Sequence, residues 1–379
     1  MSDKNRNSSE RLRQLQSEPL FMKEISTEKR IQELVSLFGN QFYVSFSGGK
    51  DSTVAVDFTA RCMKKLGFNK MFVLNINTGL EYLSVQRFCK PFCERTSEKY
   101  DMEIILDTVY PEMRFVDVLT QYGYPLISKE VSQCIYEARK GSGSNKYMSA
   151  KEKLAGTHVD KNGNLSPYNI SRYQFLLNSN ILISHKCCAL TKHKPAFHYE
   201  KATGRIPLVA TTCQESRSRR TAWLRYGCNS FSGDRPRSAP FSTWLENDML
   251  TYIKKNRLPL ADVYGEVVLK TKDMPGQMSL FDEIVQDGAV YETTGCPRTG
   301  CIYCLFGITQ DRYRILRLQR MEPDRADYVL RGGHFNAEGI WTPTIGAGGG
   351  LGYWYILDFL KEHGYDIPYK NPQKYRRTL

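Results

Sequence analysis

Short apolar runs alternate with longer stretches of helical periodicity through the first part of the chain. Phe42-Tyr43-Val44-Ser45-Phe46 is aromatic and β-branched and reads as a buried strand. Met71-Phe72-Val73-Leu74-Asn75-Ile76 and Glu103-Ile104-Ile105-Leu106-Asp107 read the same way. Between the first two, Ser52 to Phe58 starts on a capping hydroxyl and continues as a mostly apolar helix. Upstream, Ile31, Leu34, Val35 and Phe38 fall at helical spacing, with Ser26 or Thr27 as cap and Gly39 as stop. The β–α–β–α–β order predicts an α/β fold with a doubly wound, mainly parallel sheet.

The pattern loosens further on. Residues 128–165 read as a helix followed by a mobile basic loop, with Lys129, Arg139, Lys140, Lys146, Lys151 and Lys153 set among Gly, Ser and Asn. Arg205 to Thr211 predicts another strand, and Pro240 to Ile253 a capped amphipathic helix whose Trp, Leu and Ile positions are core. After the glycine-rich turn 346–352 comes an apolar helix through Trp354, Ile356, Leu357 and Leu360. No repeat of solenoid period is present. The expected organisation is an N-terminal helical segment 1–40, frayed or partner-dependent over residues 1–25, and an α/β domain 41–265. A smaller Cys-rich C-terminal region 266–379 follows, opening on a linker or insertion 266–290.

One stretch carries chemistry. Ser47-Gly48-Gly49-Lys50-Asp51-Ser52 joins the first strand to the first apolar helix. A double glycine at a helix N-terminus lets successive backbone N–H groups converge, and the helix dipole adds positive partial charge. Lys50 supplies a full charge beside them. This is an anion site and not the Walker arrangement, because no Gly-Lys-Ser/Thr closes the loop. The plain alternative is an ordinary glycine turn. A second loop, Asn77-Thr78-Gly79-Leu80-Glu81-Tyr82, follows the second strand, where ligands of open α/β sheets sit. Glu215-Ser216-Arg217-Ser218-Arg219-Arg220 follows a predicted strand end, and its guanidinium groups suit phosphate or sulfate capture.

Composition narrows the setting. Of 379 residues, 41% are hydrophobic and 12% aromatic, enough for a real core. The net charge of +13 favours a polyanionic partner, with nucleic acid the first candidate. The polar start lacks the apolar core of a signal peptide, and no run is long enough to span a membrane, so a cytoplasmic protein is expected. There the eleven cysteines are expected to be reduced, which points to metal ligation or thiol chemistry. Cys296, Cys301 and Cys304 stand in C-x4-C-x2-C spacing inside a Gly/Pro turn, so several sulfurs can face one point. Cys187-Cys188 and Cys228 add candidates elsewhere; Cys62, Cys89, Cys93, Cys134 and Cys213 lack such company and read as packing residues. Spacing leaves zinc and an iron–sulfur cluster both open.

The chain resembles the phosphoadenosine phosphosulfate (PAPS) reductase family of the PP-loop ATP pyrophosphatases. The residues that carry the resemblance are Ser47–Ser52, the loop Asn77–Tyr82 with Asn77 in place of an acid, and Lys186-Cys187-Cys188-Ala189-Leu190-Thr191-Lys192-His193-Lys194-Pro195. Glu215-Ser216-Arg217-Ser218-Arg219 completes the set. The resemblance implies an adenine-nucleotide α-hydrolase-like fold, ATP with Mg²⁺ bound on Ser47, Gly48, Gly49, Lys50, Asp51, Ser52, Asn77, Thr78 and Gly79, and cleavage to AMP and pyrophosphate. It implies catalytic roles for Lys50, Asp51, Arg219, Cys187 and Cys188. It also decides for a [4Fe-4S] cluster over Zn²⁺. Two departures stand out. Reductases of the family carry a mobile C-terminal Glu-Cys-Gly-Leu/Ile-His element, and this chain has no cysteine after Cys304. The Cys296, Cys301 and Cys304 group is more similar to members that install sulfur in the DNA backbone.

The reductase pattern implies Cys187, Cys188, Cys301 and Cys304 as ligands. The DNA-sulfur pattern, taken here as the expectation, implies Cys228, Cys296, Cys301 and Cys304. The expected function is an ATP-dependent iron–sulfur sulfurtransferase or nucleic-acid-modifying enzyme, served by a sulfur donor such as a cysteine desulfurase. The alternatives are a PAPS or adenylylsulfate reductase and a nucleotide-gated DNA- or clamp-binding module. Gln277-Met278-Ser279-Leu280-Phe281 resembles the short peptide by which bacterial DNA-processing proteins dock on the sliding clamp.

Overall fold

The computed structural model describes residues 7–233, 235–270 and 288–376. The clamp-like peptide 277–281 lies outside them. Two compact units form, each from two stretches of chain: Met1–Tyr110 with Ala196–Gly300, and Pro111–Pro195 with Cys301–Leu379. The division is thus not the linear one expected. Residues 266–270 and 288–300 belong to the first unit, and the second is an insertion closed by the tail.

In chain order the strands are β1 (Phe42–Ser45), β2 (Lys70–Ile76), β3 (Glu103–Val109), β4 (Leu126–Ile127), β5 (Ile206–Leu208), β6 (Asn229–Ser230), β7 (Arg237–Ser238), β8 (Val267–Leu269), β9 (Tyr291–Thr293) and β10 (Leu305–Phe306). The helices used below are α1 (Ser9–Ser17), α2 (Leu20–Phe38), α3 (Lys50–Lys65), α4 (Leu83–Tyr100), α5 (Phe115–Tyr122), α6 (Lys129–Lys140), α7 (Asn145–Ala155), α8 (Lys194–Thr203), α9 (Arg217–Tyr226) and α10 (Glu246–Lys255).

The first unit is built on a six-stranded sheet of order β3-β2-β1-β5-β7-β6. Every neighbouring pair is parallel except β6 with β7. This is the mixed α/β, mainly parallel sheet that the run pattern predicts. Alternation along β1 sorts its side chains. Phe42 and Val44 enter the main core with residues of α2, α3, α4 and α10, while Tyr43 meets Leu74 and Tyr199 of α8 on the other face. The chain winds outward from β1 through β2 to β3 and later returns to β5 on the opposite side of β1. Strand order therefore reverses at β1, and in open α/β sheets the crevice at such a switch point takes the ligand.

Several elements extend beyond what periodicity showed. Residues 7–25 are not frayed: α1 is capped by Ser8, and α2 begins at Leu20 instead of near Ser26. The reason is tertiary. Lys23, only 2% exposed, donates to Asp248 Oδ2 at 2.6 Å and to the Gln16 carbonyl, tying the N-terminus to α10. Gly39 ends α2 as expected, at φ +56° with its N–H on the Val35 carbonyl.

In the second unit the expected helix is α6, but the basic stretch after it, expected as a loop, holds a second helix, α7; each is started by a serine cap, Ser128 and Ser144. Arg139 of α6 turns inward and donates to the carbonyls of Leu176, Leu177, Ser179 and Ile181. No described helix is long and apolar enough to cross a membrane.

Candidate nucleotide cradle and thiol cluster

The loop 47–52 leaves the carboxyl end of β1 and enters α3. Its shape is enforced by Gly48, at φ +71°. A methyl group there would stand 2.8 Å from Val85 Cγ1 and 2.9 Å from the Val85 carbonyl oxygen and from Cys89 Sγ. Both the backbone conformation and the approach to α4 thus require glycine. Gly49 is the N-cap of α3 and has no side chain to cap it, so the loop itself puts no side chain over the helix N-terminus. The loop is braced from within. Ser52 Oγ accepts from Ser47 N at 3.2 Å and donates to the Gly49 carbonyl at 2.9 Å, and Thr53 Oγ1 donates to that carbonyl too.

Lys50 is 4% exposed. Its ammonium donates to the Pro297 carbonyl at 3.1 Å and pairs with Glu246 Oε1 at 2.9 Å. Burial pulls this group down, but Asp51 and Glu246 more than offset it and it stands above its ordinary value. The Lys50 backbone N–H donates to Tyr264 Oη at 3.0 Å. Burial pushes the Asp51 carboxyl above the usual range, against the pull of Lys50, Arg298 and Arg219. Lys50, Asp51, Thr212, Gln214, Glu215, Glu246 and Arg298 line one cleft of about 200 Å³.

Arg219 stands on α9, whose N-cap Ser216 accepts from the Arg219 N–H at 3.3 Å. Its guanidinium pairs with Glu215, and Arg298 reaches the same carboxylate at 3.8 Å. Burial holds Arg219 below its ordinary value. The second loop leaves β2 beside β1. Phe46 N–H donates to the Leu74 carbonyl, and Asn75 Nδ2 to the Phe46 carbonyl at 2.8 Å. Asn77 Oδ1 accepts from Gly79 N–H, and Thr78 Oγ1 donates to Glu81 Oε1 at 2.7 Å, so the loop is an Asx turn closed by its own side chains.

Tyr264, Glu246, Arg298 and Thr299 are the residues that sequence reading missed. In the sequence Glu246 is one polar position of an amphipathic helix, and Arg298 and Thr299 stand close to Cys296. Nothing local marks Tyr264.

The second unit brings thiols together. β4 pairs in parallel with β10, and the residues just before it join the segment that precedes Cys187: Tyr124 N–H donates to the Leu182 carbonyl and Ser184 N–H to the Tyr124 carbonyl. The short stretch from Tyr124 to Ile127 thus gathers the chain entering Cys187-Cys188 and the chain leaving Cys301–Cys304. Burial pushes the Cys187 thiol up, and Cys188, Cys301 and Cys304 add to it electrostatically. Burial pushes Cys304 up to about 12, with Cys301 and Cys188 contributing. A turn of π-helix, Ala189–His193, follows Cys188 directly. No described cysteine is in a disulfide.

Cys228 and Cys296 belong to the first unit. Cys228 accepts from Trp223 Nε1 at 3.2 Å and packs with Leu12, Cys213 and Trp223. Cys296, 1% exposed, donates to the Arg298 carbonyl at 2.8 Å. Both thiols already have hydrogen-bond partners of a kind that packing residues use. Cys62, Cys89, Cys93, Cys134 and Cys213 are buried, as expected. Among the described residues, no three His, Cys, Asp or Glu side chains stand close enough to hold a metal ion as they are.

No family model and no curated sequence matches the chain. Two of the solved structures to which the chain is similar both score low. The PAPS reductase of Candida auris, in its phosphate complex, is 16% identical with a TM-score of 0.31, covering 67% of this chain and 90% of that one. The NH3-dependent NAD synthetase of Campylobacter jejuni, in complex with nitrate, is 14% identical with a TM-score of 0.28, covering 64% and 75%. Neither score is high enough to carry an inference about this chain.

Proposed function

We propose that the chain is an ATP pyrophosphatase-type enzyme of the PAPS reductase kind, which adenylates an oxygen of its substrate and prepares it for sulfur transfer. The observation that carries this is the Ser47–Ser52 loop itself. It combines a left-handed Gly48, a helix N-terminus whose N-cap is a glycine and a buried lysine at the point where strand order reverses. Such a cradle holds a pyrophosphate group by backbone N–H donors and one full positive charge.

In this reading Lys50 and the first-turn amides of α3 bind the β and γ phosphates and stabilise the charge that develops on pyrophosphate as it leaves. Arg219 and Arg298 steady the α-phosphate or an anionic substrate. Asp51 and Glu246 border the cleft where Mg²⁺ enters with the nucleotide. The substrate oxygen attacks the α-phosphorus, the bond to the bridging β-phosphate oxygen breaks, and pyrophosphate departs. The terminal sulfur of a persulfide on a donor such as a cysteine desulfurase then attacks the atom that bears the adenylated oxygen, and AMP leaves with that oxygen. A thiol reductant breaks the remaining S–S bond, leaving the sulfur on the substrate and the donor thiol in a disulfide with the reductant. The net charge of +13 supports a nucleic-acid acceptor.

Cys187, Cys188, Cys301 and Cys304 fit a thiolate-held iron–sulfur centre by number and donor chemistry, and are the residues that would hold it. When bound, such a centre supplies electron-transfer and sulfide chemistry. Cys228 and Cys296, the ligands first expected alongside Cys301 and Cys304, are structural thiols in this reading.

The thiol grouping is also what the reductase pattern implies, and it supports a second reading, a PAPS or adenylylsulfate reductase. Sulfite released from either nucleotide with a thiol reductant would establish that reading. The cradle is tested by equilibrium binding of ATP. Saturable binding is expected, weakened at least tenfold by Lys50→Met through loss of a charged hydrogen bond worth about 1.5–3 kcal/mol. Equal binding by the variant would overturn the assignment.

A further inference from the structure

The donors of the cradle are already engaged by the chain itself. The Lys50 N–H, in the first turn of α3, donates to Tyr264 Oη at 3.0 Å. The Lys50 ammonium donates to the Pro297 carbonyl at 3.1 Å. Tyr264 Oη stands 2.5 Å from Thr299 Oγ1, and both atoms lie 3.4 Å from the point where a methyl on Gly49 would sit. Tyr264 and residues 297–299 therefore cover the amide and ammonium groups that the proposed function assigns to pyrophosphate.

This cover is built in. Tyr264 closes a single 3-10 turn, Asp262–Tyr264, ended by Gly265 at φ +63°. The β8–β9 ladder then returns the chain beside that turn, with Gly295 N–H on the Tyr264 carbonyl at 2.8 Å and Cys296 N–H on the Val263 carbonyl at 2.7 Å. The approach leaves no room for side chains. A methyl at Gly265 would meet Thr294 Oγ1 at 2.3 Å, and one at Gly295 the Val263 carbonyl oxygen at 2.4 Å. Beyond them the Cys296 thiol donates to the Arg298 carbonyl and fixes the curl of the strap. Two oxygens, one hydroxyl and one carbonyl, thus stand where anionic oxygens would bind.

We propose that the Tyr264 hydroxyl and the strap 297–299 act as an internal stand-in for pyrophosphate, closing the cradle at rest and leaving it when the nucleotide enters. The proposal rests on the nucleotide reading of the loop. A neutral hydroxyl and a carbonyl satisfy buried donors that would otherwise be unpaired, but more weakly than charged phosphate oxygens. The empty loop is thereby held in its binding shape, and ions that bind weakly are turned away. Release also frees Arg298, whose carbonyl and side chain both belong to the strap region, to face the bound phosphates.

The test uses the full-length protein with sodium pyrophosphate as probe. Titration calorimetry compares the wild type with Tyr264→Phe and Thr299→Val, and hydrogen exchange follows the amides of residues 298–300. Removing the competing hydroxyl should tighten pyrophosphate binding about fivefold, the size of one modest hydrogen bond. Thr299→Val should act in the same direction. Saturating pyrophosphate should speed exchange at residues 298–300 in the wild type. Unchanged or weaker binding by Tyr264→Phe overturns the stand-in while leaving the cradle assignment intact. So does wild-type exchange that pyrophosphate leaves unaltered. No binding by any of the three proteins overturns the cradle assignment, and the stand-in with it.

Discussion

At the scale of single residues, the two adjacent glycines of the loop have different jobs. Gly48 needs a left-handed backbone and space against Val85, whereas Gly49 sits at an ordinary φ of −80° with its nearest neighbours at 3.4 Å. Gly48→Ala is expected to lower stability by about 1–3 kcal/mol and to abolish nucleotide binding. Gly49→Ala should cost less than about 1 kcal/mol. Urea unfolding of the two variants checks this, and equal losses would refute the distinction. The double glycine was plain in the sequence, but which of the two is indispensable was not. That depends on α4, which packs against the loop from 37 residues on, counting from Gly48 to Val85. Tyr264 is the stronger case: no local pattern marks a tyrosine that reaches the loop from 214 positions away.

At the scale of elements, strands and helices of the first unit follow the apolar runs closely. The hydrophobic period is a local property and needs no partner to be read. Elements held by distant partners were not legible. The N-terminal helices depend on Lys23 meeting Asp248, and α7 depends on its serine cap and on packing rather than on an apolar stripe. The tail gives another instance. Asp327, on the helix Pro323–Leu330, accepts from Lys374 Nζ at 2.6 Å and from Arg331 at 3.0 Å. Burial pushes this carboxyl up, but Lys374 and Arg331 prevail and it lies below the ordinary value of 3.8. A carboxylate whose folded pKa is depressed contributes stability above its unfolded pKa and loses it as pH falls through the folded one. Asp327→Asn should therefore cost about 1 kcal/mol at neutral pH. The gap from wild type should close as the pH drops below 3.8. A gap independent of pH in denaturant titrations would contradict this.

At the scale of the whole molecule, the two units hold different groups, the loop proposed as a phosphate cradle in one and a group of thiols in the other. Both were visible as motifs. The membership of the thiol group was not, because C-x4-C-x2-C spacing invites Cys296 into the set, while the fold turns it inward to the Arg298 carbonyl. Tyr124 and the two-residue β4 just after it are what join the Cys187 and Cys301 segments, and no periodicity marks so short a strand. Protein purified anaerobically should contain iron and sulfide. Serine at Cys187, Cys188, Cys301 or Cys304 should remove most of both. Cys228→Ser and Cys296→Ser should keep them. Loss of iron in the last two, with Cys187→Ser and Cys188→Ser keeping it, would restore the ligand set that the resemblance to DNA-sulfur enzymes implies, and colourless protein with stoichiometric zinc would remove the iron–sulfur centre altogether.

The central claim is that the Ser47–Ser52 loop directs cleavage between the α and β phosphates of ATP. The most direct measurement follows ATP labelled at the α-phosphate, incubated with the anaerobically purified protein, total nucleic acid and small-molecule extract of the cells that make it. Labelled AMP with an equal amount of pyrophosphate is the predicted result, dependent on the added extract and lost in Lys50→Met. Formation of labelled ADP, or AMP production that survives Lys50→Met, would contradict the account.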